Sequence, residues 1–204
     1  MTDVTNSEPT ALAALVASRL CHDLIGPIGA IGNGLELLQS TMLPSPELEL
    51  IGGSASTATA RIRFFRVAFG AASDTEILEA RALADMLGGM FGGGRINIQW
   101  LPEPLTRREA RLLCLLLLCA ESALPVGGTL VVDRDHSVLR LVAEGRRIRF
   151  DHEPWAHLVD GRPLESCSSA QVHFLLARHY AEAEGRRITL AEAEGGFVLV
   201  LEGG

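Results

Sequence analysis

Apolar residues at Leu12, Val16, Leu20, Leu24, Ile28, Ile31, Leu35 and Leu38 recur in steps of three and four. That spacing marks one face of a long helix. The run Met42-Leu43-Pro44-Ser45-Pro46 ends it, because proline has no amide to continue the ladder. A second helical run covers about 46–71, with Leu48, Ile51, Ala55, Ala58, Ile62, Phe65 and Phe69 at helical steps. Residues 1–9 are polar and predict a loose start. Two long helices joined by a short loop predict an antiparallel hairpin. One hairpin cannot bury both of its apolar faces. Two copies pairing into a four-helix bundle would, so a homodimer is expected.

The pattern changes near Ser73-Asp74, which reads as a helix cap. A helix is expected over 76–90, then a flexible connector at Gly88 to Gly94, then a strand at 95–100. Thr106, with Glu109 three residues on, predicts a capped helix over 106–124. Strands are expected at 128–133, 137–143 and 147–151, a helix at 168–184, and closing strands at 186–193 and 197–202. The fold class is therefore α+β. An N-terminal helical domain (1–72) precedes a C-terminal domain (73–204) with helices over one face of a mixed sheet.

Composition narrows the function. With 48% hydrophobic residues, the 204-residue chain can bury a core and is not a disordered tail. A net charge of -7 argues against nucleic-acid binding. All 18 basic residues are Arg, which carries no functional weight. The four cysteines form no C-x-x-C pair, and no signal peptide is visible, so a reducing cytoplasm is expected. The apolar run Leu112 to Ala120 is too short to span a bilayer and predicts a buried helix, with Cys114 and Cys119 in the core. No membrane association is expected. His136, His152, His157, His173 and His179 form no metal-binding spacing. Gly88 to Gly94 lacks a Gly-Lys-Ser/Thr and is not a phosphate loop. Phe64-Phe65 fits bundle core or a partly exposed docking position. Arg61, Arg63 and Arg66 read as a solvated face unless the fold brings one near His22.

His22 is the candidate for chemistry. At roughly 100° per residue the apolar stripe centres near Leu24 and Ile31, and His22 lies roughly opposite it. Its neighbours on that face are Ser18, Gly26, Gly29 and Asn33, all small or polar. A neutral imidazole is a nucleophile near pH 7. Asp23 could fix the ring tautomer, and Arg19, one turn earlier, could pair with phosphate. The glycines and Pro27 weaken the segment. Either another chain compensates, or the helix ends near Gly26. On pattern alone, an ordinary surface histidine fits equally well.

The run Ser18-Arg19-Leu20-Cys21-His22-Asp23-Leu24-Ile25-Gly26-Pro27-Ile28-Gly29-Ala30-Ile31-Gly32-Asn33-Gly34-Leu35-Glu36-Leu37-Leu38 resembles the ChpT-type histidine phosphotransferases of alphaproteobacteria. More distantly, His22-Asp23 with Pro27 resembles the phospho-acceptor motif of sensor histidine kinases. The resemblance implies that His22 is the phospho-acceptor, supported by Arg19, Asp23, Gly26, Pro27, Gly29 and Asn33. It also implies a dimeric bundle and a C-terminal domain shaped like a kinase ATP-binding domain. The family relays phosphate from the receiver domain of a hybrid histidine kinase to response regulators of the cell cycle. Mg²⁺ would belong to the partner receiver, with no cofactor or metal held by this chain.

The kinase nucleotide boxes can be checked against the sequence. Cys119 stands where the resemblance puts a Mg²⁺-holding Asn, and a thiol suits a hard cation poorly. Asp160-Gly161-Arg162-Pro163 lacks the second glycine of an adenine-binding Asp-x-Gly-x-Gly. Glu165-Ser166-Cys167-Ser168-Ser169 stands where a glycine-rich phosphate loop would be. The expectation is a phosphorelay phosphotransferase that does not use ATP. The rival readings are an ATP-dependent histidine kinase and a non-catalytic dimeric module that binds a response regulator.

Overall fold

The computed structural model describes residues 7–41, 43, 45–71, 76–135 and 138–203. The chain opens with two helices, α1 (Ser7–Thr41) and α2 (Pro46–Phe69), which pair along their length. Helix α1 starts inside the segment expected to be loose. Pro9 falls in its first turn, where a missing amide costs no hydrogen bond. The helix also continues through Pro27 instead of ending near Gly26. Of the expected break, Met42 and Pro44 lie outside the described residues. Ser45 caps α2 by accepting the Leu48 amide at 3.4 Å, with Pro46 in the first turn. Glu47 and Glu49 in the first turn and Arg66 in the last complement the helix dipole.

The Ser73-Asp74 cap and the 72/73 domain boundary lie outside the described residues. The chain then forms β1 (Ile77–Leu78), α3 (Ala80–Phe91), β2 (Ile96–Trp100) and β3 (Leu105–Thr106). The expected helix from 76 thus begins four residues late. Its first positions are taken by an antiparallel ladder that pairs Ile77 with Thr106 and Leu78 with Leu105. Part of the glycine-rich connector is helical, because α3 runs through Gly88 and Gly89. Gly89 sits against α2: a Cβ there would lie 2.5 Å from the Ala60 Cβ. One compact unit takes the chain up to Met90 with Pro104–Arg108; the other takes Phe91–Glu103 and Glu109–Gly204.

The second unit holds most of α4 (Arg107–Ser122), then β4 (Gly128–Asp135), β5 (Val138–Glu144), α5 (His152–Asp160), α6 (Val172–Ala183), β6 (Arg186–Ala193) and β7 (Gly196–Gly203). Its five-stranded sheet has the order β2-β4-β5-β7-β6. Only the β2–β4 pair is parallel. Leu130, Val132, Leu139, Leu141, Ala143, Phe197, Leu199 and Leu201 are buried, while the alternate residues Val131, Val142, Val198 and Val200 are only half-buried. That alternation means one face of the sheet carries the core. Trp155 joins the helices to the sheet, 5.4 Å from the Phe174 ring and 5.6 Å from Phe197. Helix α4 is apolar nearly all round and buried from Leu112 to Leu117, as are Cys119 and Ala120.

Three expectations for this unit change. Residues 147–151 form no strand; the Arg149 amide donates to the Ala123 carbonyl at 3.0 Å instead of joining the sheet. Helix α5 was not expected. Helix α6 begins at Val172 and not at 168, the Ser168 hydroxyl bonding the Gln171 side chain at 2.9 Å ahead of it. His136 and Ser137 lie outside the described residues.

Candidate functional site

Helix α1 carries two apolar stripes. Ala14, Cys21, Ile25, Ile28, Gly32 and Leu35 are buried or half-buried and follow helical spacing. Two bonds fix the register of the hairpin along this inner stripe. The Ala71 amide donates to Ser18 Oγ at 2.8 Å, and Gln39 Nε2 donates to the Leu48 carbonyl at 3.3 Å. The second stripe, Leu12, Val16, Leu20, Leu24, Ile31 and Leu38, is exposed in the single chain, with Leu20 at 58% and Ile31 at 54%. On α2, Phe64 is fully buried, whereas Leu50, Ile51 and Phe65 are exposed.

His22 belongs to neither stripe. Its side chain is 78% exposed on the flank between them. Nδ1 lies 3.3 Å from Asp23 Oδ1, and Asp23 Oδ2 accepts from Arg19 Nε at 2.8 Å. The hydrogen bond from His22, then the Arg19 guanidinium, holds the Asp23 carboxyl below the usual carboxylate range. An ionised carboxylate only accepts, so Nδ1 must carry the proton. In a neutral ring the lone pair is then on Nε2. The chain thus presents an exposed imidazole, with Nδ1 toward Asp23, on a helix.

The helix around it has unfilled space. A Cβ at Gly26, Gly29, Gly32 or Gly34 would meet nothing within 4 Å. Each glycine costs a helix interior roughly 0.5–1 kcal/mol relative to alanine. Nothing inside this chain requires that cost. Pro27 removes the amide that would bond the Asp23 carbonyl, so the backbone beside His22 is also under-bonded. Gly29, Gly32, Asn33 and Glu36 form one wall of a groove that Gly52, Ser56, Thr59 and Arg63 of α2 face.

Of the sequence-derived residues, Arg19, His22 and Asp23 form one bonded chain. Gly29 and Asn33 line the groove on the same flank of α1, and Gly26 and Pro27 are exposed between them. Sequence reading merged the two stripes: it set Ile28 and Leu35 on one face with Leu20, Leu24 and Ile31, and passed over Ala14, Cys21, Ile25 and Gly32. It also left open where the α2 arginines fall. Arg66 lies close enough to Cys21 to act on its thiol.

Residues 80–196 match the model of the histidine phosphotransferase C-terminal domain family. The chain is 37% identical over 191 residues to the protein phosphotransferase ChpT of Brucella abortus (strain 2308), spanning 88% of this chain and 89% of that one. The chain belongs to the histidine phosphotransferase family. A solved bacterial phosphotransferase superposes with a TM-score of 0.68 at 28% identity, over 98% of each chain. As a member of this family the chain is a phosphorelay protein phosphotransferase, not an ATP-dependent kinase. It is a mixed α and β protein with a helical N-terminus and a sheet-bearing C-terminal unit.

Proposed function

We propose that His22 is the phospho-acceptor of this phosphotransferase. The observation that carries the reading is the exposed His22 ring, with Nδ1 held by Asp23 and Nε2 free. A receiver domain of a hybrid histidine kinase, bearing an aspartyl phosphate, docks on the His22 flank of α1. Nε2 attacks phosphorus in line as the bond to the aspartyl oxygen breaks. The receiver's carboxylate is the leaving group, and a Mg²⁺ held by the receiver would offset its charge. The ring gains positive charge, which Asp23 offsets. The same steps in reverse pass the group to the Asp of a downstream response regulator. Such transfer needs mainly positioning and charge neutralisation.

The active form in this proposal is a homodimer. The exposed stripe of α1, with Leu50, Ile51 and Phe65 of α2, supports a four-helix bundle that buries them. By length and composition alone α1 is also apolar enough to cross a membrane. Arg19, His22 and Asp23 near its middle speak for the bundle, since ionisable groups are costly within a bilayer. Four free thiols suit a cytoplasmic location.

The C-terminal unit serves, in this proposal, as a kinase-like scaffold that holds no nucleotide. Cys119 supports that reading. It is fully buried on α4, and burial pushes its thiol well up, so it stays protonated and offers no ligand to a hard cation.

The test is a labelled relay. A receiver carrying ³²P-aspartyl phosphate is mixed with wild type and with His22→Ala. Wild type should gain acid-labile label and His22→Ala none. Label on His22→Ala overturns the assignment. Label gained from ATP alone would favour a kinase, and binding of the receiver without label would favour a non-catalytic module.

A further inference from the structure

The hairpin register carries one step beyond the choice of acceptor. A Cβ on Gly70 would fall 2.9 Å from Ser18 Oγ, and the Ala71 amide bonds the same hydroxyl. These contacts place the end of α2 beside Ser18. One helical turn onward from Ser18, on the same face of α1, is His22. One turn back from Gly70, on the same face of α2, is Arg66. The helices run antiparallel, so both steps travel in the same direction, about 6 Å along the pair. Arg66 and His22 are therefore successive neighbours on one flank of the hairpin. The Arg66 guanidinium lowers the Cys21 thiol from its burial-raised value, which agrees with that placement.

Arg66 is also uncommitted. Its backbone is held: its carbonyl accepts the Gly70 amide at 3.2 Å and the Arg107 guanidinium. Its own guanidinium has no ion pair among the described residues, whereas Arg19 is already bonded to Asp23. A phosphoryl group brings about two negative charges to the ring. A guanidinium fork suits its oxygens.

We infer that Arg66, reaching across from α2, is the cation that neutralises the phosphoryl group while it resides on His22. The inference rests on His22 being the acceptor. Arg63 lines the groove beside Gly29.

The experiment compares wild type, Arg66→Gln, Arg66→Lys and His22→Ala in single-turnover transfer from a phosphorylated receiver. Unphosphorylated-receiver affinity, dimer content and thermal midpoint are measured for each. Arg66→Gln should transfer at least about tenfold more slowly, the scale expected when a group that stabilises developing charge is lost. Its phosphohistidine should also be shorter-lived. Receiver affinity, dimer content and midpoint should stay close to wild type, and Arg66→Lys should recover part of the rate. Transfer by Arg66→Gln at the wild-type rate overturns the inference. So does a loss that merely follows weakened receiver binding or dimerisation. Label on His22→Ala sinks the acceptor assignment itself; no label there with Arg66→Gln unaffected sinks the role of Arg66 alone.

Discussion

Ser18 and Ala71, 53 residues apart, are joined by a 2.8 Å hydrogen bond from the Ala71 amide to the Ser18 hydroxyl. The bond ties the end of α2 to α1 one turn before His22. Ala71 is exposed, so water can replace the lost acceptor in Ser18→Ala. The expected loss is about 0.5–1 kcal/mol. Hydrogen exchange at the Ala71 amide should accelerate while that of central α1 amides does not. Unchanged exchange at Ala71 would show that the bond does not hold this end.

Gly26 and Gly29 cost the helix stability, and a Cβ at either would meet nothing within 4 Å. Gly26→Ala and Gly29→Ala should each raise stability by roughly 0.5–1 kcal/mol. If a partner backbone needs that space, the same variants should bind the receiver more weakly. Titration calorimetry beside thermal melts reads both effects. Tighter melting with unaltered binding would remove the docking role of these positions.

Gly89 presents the opposite case. Its missing Cβ lets α3 approach Ala60 of α2. Gly89→Ala adds a methyl where a neighbouring methyl already stands, and should cost about 1–3 kcal/mol in chemical denaturation. A neutral result would mean that the helices part without penalty.

His173, on α6, stacks on Phe174 with ring centroids 4.6 Å apart. Burial lowers its pKa to about 4. The unfolded chain therefore takes up a proton at higher pH than the native one does. Stability is fully present above about pH 6.5 and declines progressively as pH falls toward 4. His173→Leu should melt with less pH dependence across that window, gaining roughly 1–2 kcal/mol on wild type at pH 5 relative to pH 8. Parallel pH dependences for the two proteins would mean that His173 does not carry this acid sensitivity.

The helices of the hairpin and the two β-hairpins were legible, since each rests on a local period bounded by proline or glycine. The β1–β3 ladder was not. It is two residues long and joins Ile77 to Thr106, too far apart for any local pattern. Residues 147–151 alternate Arg and apolar side chains like a strand, yet Arg149 spends its amide on the end of α4. Helix α5 had signals that went unused: Asp151 at its N-cap, Pro154 in its first turn, and Gly161 at its end in the left-handed conformation with φ 73°. At the site, the Arg19–His22–Asp23 cluster could be drawn from helical spacing. The pairing of Ser18 with Ala71 could not, because hairpin register depends on side-chain bonds between distant residues.

The unfilled glycines of α1 also bear on how such a chain evolves. Selection for heat resistance alone would reward filling Gly26, Gly29, Gly32 and Gly34, since no neighbour in the chain objects. A lineage following that gradient would grow sturdier while filling the open space along α1. If the proposed docking on α1 needs that space, thermal tolerance and signalling pull the same four codons in opposite directions. Alanine at any of them in a heat-adapted descendant should then be accompanied by compensating change in the surface it docks.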